Sequence, residues 1–377
     1  MLKTNRRRAC VALAGMAALR PAWSADNDIV VGQIGPFTGI PVPDAPQLNE
    51  GIKAAFAQAN ARGGIGGRRI EFFELDDGYS GDGFVKAFAA AMKRRPVALL
   101  SPVGSVALKR MLDDKLLDRA DVIVLNAVPG AEALRNPGHP KLFHIRAGDR
   151  QQIDKIVDHA RNLGVTQLAV LHQNIPIGTS GLAMANEAAK RVGGIELKPF
   201  ESTLEIPSLA AAAGKLAQSN SQAAIVLGAP RFMADGVAEL RKAGMRQFIF
   251  ALSYVPAGLL AKVAGEGARG VALSQTYPNP MGATLPLQRE FQAAMKSSSP
   301  STAAYTSFHL EGYVTAQIFL EGARRARESL TPDGVARALR GMADIDLGGF
   351  RVDFSKGNAG SRFVDIGVVN ADGRLIY

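Results

Sequence analysis

Residues Asn60–Ser80, NARGGIGGRRIEFFELDDGYS, decide how the rest of the chain is interpreted. The glycines at positions 63, 64, 66 and 67 suit a turn that needs positive φ angles. Segment 69–75 is rich in β-formers and short enough to be a strand. The segment that follows, 76–79, stands at the carboxyl end of that strand, where open α/β sheets bind ligands. The stretch therefore predicts a turn, an inner strand and one wall of a binding site.

The N-terminus has the pattern of a secretory signal peptide. Lys3 and the arginines at 6–8 form a basic region, 11–19 is a short apolar region, and Ala22 and Ser24 provide small residues for cleavage. Nine apolar residues are too few to cross a bilayer, which takes ~20. We therefore predict a signal peptide over residues 1–24 and a periplasmic mature protein.

Composition excludes several classes of function. Loss of residues 1–24, which carry five Lys or Arg and no acid, would lower the net charge from +10 to +5. The remaining charges are scattered and form no basic stripe, so nucleic acid is not an expected partner. The single cysteine, Cys10, lies in the predicted signal, and the five histidines are not at metal-ligand spacing. We predict no cofactor, no metal site and no later membrane-spanning segment.

Strands, loops and helices alternate in two successive series. The first runs from Ile29 to Arg146, and the second runs from Ile153 to Ser274. Such alternation is typical of parallel, doubly wound α/β sheets, and 377 residues suit two lobes better than one core. Two helices, at 287–296 and 307–327, and a shorter one capped by Thr331 are predicted after the second series. Two last strands are predicted at 350–354 and 363–369.

The loops at the predicted strand ends carry small polar groups, backbone amides and a few rings. They suit hydrogen bonding to a small polar molecule, and they supply no nucleophile with an adjacent base. The glycine run precedes a strand, whereas a dinucleotide fingerprint follows one. Asp76 and Asp77 would face opposite sides of a strand, which argues against joint acid–base chemistry. The candidate ligand-binding residues are Phe37, Thr38, Tyr79, Gly104, Ser105, Ala127, Val128 and Pro129 in the first series, and Ile175, Pro176, Gly228, Ala229, Ser253 and Tyr254 in the second.

Six short motifs also occur along the chain: GPFTG at 35–39, NARGGIGGR at 60–68, DDGY at 76–79, GAEALR at 130–135, SQTYPNP at 274–280 and SFHLEGY at 307–313. In this joint order the chain resembles the type I periplasmic binding proteins of branched-chain-amino-acid-type ABC transporters, the leucine-binding-protein-like receptors. The likeness covers nearly all of the predicted mature chain.

The resemblance implies two similar lobes joined by a three-segment hinge, with ligand in the cleft between them. The crossings would lie near 144–147, 274–277 and 349–354. Lobe 1 would comprise 25–146 and 276–352, and lobe 2 would comprise 147–275 and 353–377. The resemblance further implies a monomeric receptor without enzyme activity, which closes on a small molecule and is recognised by an ABC permease of the inner membrane.

Other functions stay open at this point. The same fold serves ligand sensors that regulate a partner without transport. A secreted α/β enzyme would need a catalytic constellation, which these residues do not supply. In amino-acid-binding relatives an acidic residue of lobe 2 holds the ammonium group, but Ser253, Tyr254 and Val255 in the matching region include no carboxylate. Pro129 stands where a hydroxyl residue is common, and we expect an uncharged or anionic, partly apolar ligand.

Overall fold

The computed structural model describes residues 28–38 and 44–377 and contains two large β-sheets. The predicted signal peptide, residues 1–24, lies outside the described residues, as does Gly39 of the GPFTG motif. Within the described ranges, no helix combines the length and the apolar character that a bilayer crossing requires.

The first sheet is built from five parallel strands. They are β1 (Ile29–Gly35), β2 (Ile70–Asp76), β3 (Ala98–Leu100), β4 (Ile123–Leu125) and β5 (Leu142–Phe143). Their order across the sheet is β2-β1-β3-β4-β5. The helices between them are α1 (Asp44–Ala61), α2 (Gly81–Lys93), α3 (Ser105–Asp113) and α4 (Leu116–Arg119).

The stretch at 60–80 folds as the sequence predicts. All four glycines of the turn have positive φ. The side-chain amide of Asn60 donates to the Ile70 carbonyl and accepts from the Ile70 N–H, both at 2.9 Å, which fixes where β2 starts. From there β2 pairs in parallel with β1 as far as Gly35 and Asp76. This register brings the segment after β2 beside the loop after β1.

The second series contributes the strands and helices of the other lobe. They are α5 (Asp149–Asn162), β6 (Gln167–Gln173), α6 (Pro176–Val192), β7 (Glu196–Ser202), α7 (Ile206–Ala217), β8 (Ala223–Leu227), α8 (Pro230–Lys242), β9 (Phe248–Ala251), α9 (Ala257–Ala264) and β10 (Ala272–Gln275). The C-terminal part adds α10 (Pro286–Ser298), α11 (Ser307–Arg325), α12 (Pro332–Arg340), β11 (Ile345–Asp346), β12 (Arg351–Val352), β13 (Asp365–Val369) and β14 (Leu375–Ile376). The second sheet has the order β14-β13-β10-β9-β8-β6-β7.

Several local features differ from the sequence-based prediction. Strand β7 and helix α9 are not anticipated by it. β7 carries Pro199 and the charged residues Glu196, Lys198 and Glu201, which a strand tolerates at a sheet edge, and it is the last strand of the second sheet, beside β6. The helix predicted through Leu116 is interrupted at Lys115, which has φ 52°. The predicted loop at 173–178 is shorter, because α6 already begins at Pro176.

The chain passes three times between two apolar cores. One core lies around β6, β8 and β9. The other packs α10, α11 and α12 against β1, β3 and β4 of the first sheet, while β13 returns to the second sheet. The connections therefore run from β5 to α5, from β10 to α10 and from β12 to β13. The molecule has the two-lobed α/β fold that was predicted, whereas the residue numbers given for the lobe boundaries stay a prediction.

Helices α1 and α11 cross at close range beside the first sheet. A Cβ atom at Gly312 would lie 2.0 Å from the Leu48 carbonyl oxygen, and one at Gly51 would lie 2.0 Å from that of His309. Both helices thus approach through glycine backbone, and this contact sets the position of the α1 N-terminus at the edge of the cleft. Further along the chain, Thr331 caps α12 as predicted, since its hydroxyl accepts the Gly334 N–H at 3.1 Å.

Candidate functional site

The loops after β1 and β2 are joined by one carboxylate. Asp76 Oδ1 accepts the N–H groups of Phe37, at 2.8 Å, and Thr38, at 3.1 Å. The Thr38 hydroxyl donates to Oδ2 of the same side chain. Slight burial would raise the pKa of Asp76, but these hydrogen bonds and one from the Gly78 N–H lower it overall. The ionised carboxylate therefore holds two predicted site residues, Phe37 and Thr38, in place.

Tyr79 stands in the next loop with its backbone in the left-handed region, at φ 57°. Its N–H donates to Asp77 Oδ1 at 2.8 Å, and a Cβ atom at Gly104 would lie 3.5 Å from its ring. The side chain is 40% exposed. A non-glycine residue held at positive φ costs free energy and is often found at binding sites. The loops after β2 and β3 thus meet at an aromatic ring that a ligand can reach.

The side chain of Asp77 makes the free energy of unfolding depend on pH. Its side chain is buried, Oδ2 has no hydrogen-bond partner among the described residues, and burial raises the pKa of Asp77 to about 6. Between the unfolded value of 3.8 and about 6, the folded chain binds the proton more tightly. The free energy of unfolding therefore falls as pH rises through this window.

We predict that Asp77→Asn removes that fall. The amide oxygen can still accept the Tyr79 N–H, so the loop keeps its anchor. The variant should be more stable than the parent above pH 6 by about 1–2 kcal/mol, and equal to it below the unfolded pKa. Urea unfolding of both proteins at pH 5 and pH 7.5 measures the difference. An equal difference in stability at the two pH values would contradict the raised pKa of Asp77.

The ends of β3 and β4 carry two more strained residues. Ser101 has φ 46° and Asn126 has φ 62°, and both are fully buried. The Asn126 amide donates to Glu311 Oε1 at 3.0 Å and to the Thr315 hydroxyl at 2.9 Å, while its oxygen accepts the N–H groups of Ile145 and Arg146. A side chain of lobe 1 therefore fixes the start of the first crossing between the lobes.

Arg146 lies at the floor of the cleft, where that crossing leaves lobe 1. Its Nη2 donates to the Ser253 hydroxyl at 2.9 Å, and Nε and Nη2 reach the Thr276 hydroxyl of the second crossing at 3.3 and 3.1 Å. The guanidinium also lies over the Tyr254 ring, 5.0 Å from its centroid. One side chain thus joins two of the three connections and lobe 2.

The charge of Arg146 is compensated within lobe 1. Its Nε is 3.6 Å from Glu311 Oε1, and both side chains are at most 2% exposed. Burial alone would lower the pKa of Arg146, but Glu311 together with other neighbours raises it overall. Burial raises the pKa of Glu311, and Arg146 and Asn126 counteract part of that rise. The guanidinium is therefore held as a cation in the interior.

Tyr254 of lobe 2 lies against lobe 1 at Gly130. Its hydroxyl donates to Asp149 Oδ1 at 2.5 Å, and a Cβ atom at Gly130 would lie only 2.1 Å from that hydroxyl oxygen. The Asp149 N–H donates to the Gly130 carbonyl at 3.0 Å. Burial raises the pKa of both Tyr254 and Asp149. The absence of a side chain at Gly130 is what lets the two lobes meet here.

The other lobe 2 loops are joined through Gln173. Its side-chain oxygen accepts the Ala229 N–H at 2.9 Å and would lie 2.8 Å from a Cβ atom at Gly228. Ile175 is 37% exposed just before α6. Within the described residues, no hydrogen bond connects this group of loops to lobe 1. They form a second wall, separate from the lobe 1 loops.

The structure therefore gathers the predicted site residues into three groups. Phe37, Thr38, Tyr79, Gly104 and Ser105 belong to the lobe 1 wall. Ser253 and Tyr254 meet lobe 1 at the floor, where the Val128 carbonyl lies 3.5 Å from Arg146 Nη1. The lobe 2 wall contains Ile175, Pro176, Gly228 and Ala229. Pro129 is buried beside the floor, and Ala127 packs into an apolar cluster of lobe 1 and exposes no side-chain surface.

The sequence does not indicate the charged and polar residues at the floor. Arg146 lies in a predicted crossing without a predicted role, and Asn126, Asp149, Thr276 and Glu311 are not among the predicted site residues. The available signal was an arginine inside the apolar run 142–147, where a charge requires a buried partner. That partner, Glu311, is 165 positions further along the chain. The sequence pattern therefore indicates that Arg146 requires a buried partner, but it does not identify the residue.

Two α/β lobes, three crossings and ligand-accessible loops at the strand ends define a cleft-binding protein. Residues 28–374 match the profile of the periplasmic binding protein family. The chain belongs to this family, in its type I form.

The individual relatives agree with that assignment. A solved extracellular ligand-binding receptor from Verminephrobacter eiseniae is 52% identical, with a TM-score of 0.88 over 93% of this chain and 100% of its own. A Leu/Ile/Val-binding protein homologue from Brucella melitensis is 24% identical over 86% of each chain. A solved fatty acid ABC transporter substrate-binding protein from Thermomonospora curvata shares the fold at 21% identity, with a TM-score of 0.79 over 94% of this chain and 92% of its own.

Proposed function

We propose that this protein is the extracytoplasmic receptor of an ABC importer. It captures one small molecule between its lobes, and a permease recognises the closed form. The observation that carries the proposal is the floor of the cleft, where Arg146 touches Val128 of lobe 1, Thr276 of a crossing and Ser253 of lobe 2. Movement of either lobe must alter these contacts, so the contacts of Arg146 would change when the lobes close. Such a site binds its ligand without a covalent step.

The residues of the two walls support one class of ligand. Phe37, Val103, Val128 and Phe308 form a small apolar cluster of lobe 1, which suits an apolar part of the ligand. In lobe 2 the predicted contact Tyr254 donates its hydroxyl hydrogen to an acid, Asp149, which is buried. Because burial raises the pKa of Asp149, it is a poor partner for an ammonium group. We propose an uncharged or anionic, partly apolar ligand.

The relatives differ in the ligands that their names give. One is described by its binding of leucine, isoleucine and valine, which are outside the proposed range, and another by the transport of fatty acids, which are within it. A fatty acid combines a carboxylate with an apolar chain, and the apolar cluster of lobe 1 would accept the chain. The predicted signal peptide and the family together favour the periplasm as the location.

A thermal-shift screen tests the proposal. The panel should contain leucine and valine together with short aliphatic and aromatic carboxylates and their amides. A true ligand at 100 times its Kd adds about 2.7 kcal/mol to the free energy of unfolding. We expect a carboxylate or an amide to stabilise the protein and the two amino acids to have no effect. Micromolar binding of leucine or valine would contradict the proposed ligand class.

Uptake separates an importer from a sensor. Cells that lack the protein should lose high-affinity uptake of the compound identified by the screen. Unchanged uptake, with binding intact in the purified protein, would favour a sensor and overturn the importer proposal.

A further inference from the structure

Asp44 places a carboxylate of lobe 1 between the Tyr79 wall and the floor of the cleft. It is the first residue of α1 and is only 8% exposed. The next residue, Ala45, belongs to the same apolar cluster as Phe37, against which the apolar part of the ligand would lie. The charge of Asp44 acts on Tyr79 in the wall, and Arg146 at the floor acts on Asp44. This acid therefore borders the space proposed for the ligand.

The carboxylate of Asp44 has no partner. Within the described residues, no other residue donates a hydrogen bond to it, and no cation lies within ion-pair distance. Two other buried acids, Asp77 and Asp149, each have an unpaired oxygen that is fully enclosed. Neither oxygen of Asp44 is of that kind. The carboxylate therefore keeps a surface that a bound molecule can reach, and a donor on that molecule would relieve the cost of its burial.

The charged groups around Asp44 leave it partly uncompensated. Burial raises the pKa of Asp44, whereas its own backbone N–H and the Arg146 guanidinium counteract part of that rise. Arg146 is shared with Glu311, whose pKa is raised by burial and, to a lesser extent, by Asp44. Burial also raises the pKa of Tyr79, and Asp44 and Asp77 add to that rise. Asp44 thus takes up a proton more readily than an exposed acid, which makes it a poor partner for an ammonium group.

A ligand amide and a ligand carboxylate would meet this acid differently. An amide N–H can donate to an oxygen of Asp44 without any change of protonation. A ligand carboxylate in the same place would oppose a like charge, and two carboxylates in contact must share a proton. Binding of the anion would therefore require one proton that binding of the amide does not.

We propose that Asp44 makes the cleft specific, within the range of the proposed function, for a neutral molecule with an N–H or O–H donor, such as a carboxamide, over the corresponding carboxylate. The inference rests on the proposed function, since it takes the ligand to lie in the cleft. The apolar part of the ligand would lie on the Phe37 cluster while its donor meets Asp44. Arg146 does not offset this preference, because its N–H groups already donate to Ser253 and Thr276.

Titration calorimetry with two matched sets of probes tests the proposal. One set is isovaleramide, isovalerate and isoamylamine, and the other is phenylacetamide, phenylacetate and phenethylamine. At pH 7.5 the parent should bind the amide of one set at least roughly tenfold more tightly than its carboxylate. Between pH 6 and pH 8 the affinity for the carboxylate should fall by at least roughly tenfold, because binding takes up a proton. The affinity for the amide should stay within about twofold over the same range.

Asp44→Asn separates a contact with the ligand from a structural role. Asparagine has the same shape, its oxygen accepts an amide N–H, and its NH₂ group can donate to a carboxylate. The affinity for the carboxylate should rise roughly tenfold at pH 7.5 and lose its dependence on pH. Asp77, with its pKa of about 6, is present in both proteins and does not affect the comparison. The control is Asp121→Asn, an exposed acid just before β4, which should leave every affinity within about twofold of the parent.

The outcomes distinguish this inference from the proposed function. Equal affinities of the parent for an amide and its carboxylate would overturn the role of Asp44 and leave the proposed ligand class in place, as would an unchanged preference in a folded Asp44→Asn protein. Tighter binding of an amine than of its amide, or no binding of any probe, would overturn both. If Asp44→Asn does not fold, the dependence of carboxylate binding on pH in the parent decides the question.

Discussion

Arg146→Met should lower the free energy of unfolding by about 3–5 kcal/mol, because it leaves the buried Glu311 carboxylate without its cation. The variant also removes the guanidinium N–H groups that donate hydrogen bonds to the hydroxyls of Ser253 and Thr276. Methionine has a similar length and fills most of the space, so the loss reports the charge rather than a cavity. Urea unfolding measures the effect as a lower midpoint at an unchanged slope.

A matched set of variants isolates the pair. Removing both charges in Arg146→Met/Glu311→Leu should cost less than the sum of the two single changes, since neither charge is then left buried alone. Arg324→Gln breaks an exposed pair with Glu321 and should cost under about 1 kcal/mol. A loss below about 1 kcal/mol for Arg146→Met would show that the guanidinium is hydrated and does not form the floor.

Gly312→Ala should lower the free energy of unfolding by about 3 kcal/mol or more. The new methyl group would stand 2.0 Å from the Leu48 carbonyl oxygen of α1. A backbone atom in a helix cannot move aside alone, so the two helices must separate and the apolar contacts around them must loosen. Because α1 begins at the cleft edge, the variant should also weaken ligand binding, whereas a change of propensity alone would not.

Gly214→Ala is the matched control. Gly214 lies inside α7, and no atom lies within 4 Å of the position that its Cβ would occupy. Alanine there should be neutral or stabilise the protein by up to about 1 kcal/mol, through its higher helix propensity. Equal effects of the two substitutions in urea unfolding would mean that α1 and α11 are not in close contact at Gly312.

The parts of the fold that were predicted from sequence depend on local chemistry. The glycine turn at 63–67 and the cap at Thr331 each follow from one short segment, and both are confirmed. The two-lobe class follows from the order of many such segments. β7 was missed because an edge strand with Pro199 lacks the apolar alternation that marks a strand. Local pattern also extended one helix through Lys115, where the backbone in fact turns to positive φ.

The candidate site was predictable only as loops. Strand ends can be located from sequence, and the loops that follow them contain the predicted residues Tyr79, Gly104 and Ser253. The floor could not be derived in this way, because Arg146 finds Ser253, Thr276 and Glu311 far along the chain. The role of Gly130 is likewise invisible in sequence, since it depends on where the Tyr254 hydroxyl lies after folding.

We propose that a small molecule binds between the lobes against Tyr79. The most direct test is titration calorimetry of the compound found in the thermal-shift screen, with the parent protein and Tyr79→Ala side by side. We expect one molecule per chain and a Kd at least roughly tenfold weaker in the variant, as the exposed ring is lost from the wall. Unchanged affinity in a folded Tyr79→Ala protein would contradict the placement of the ligand in this cleft.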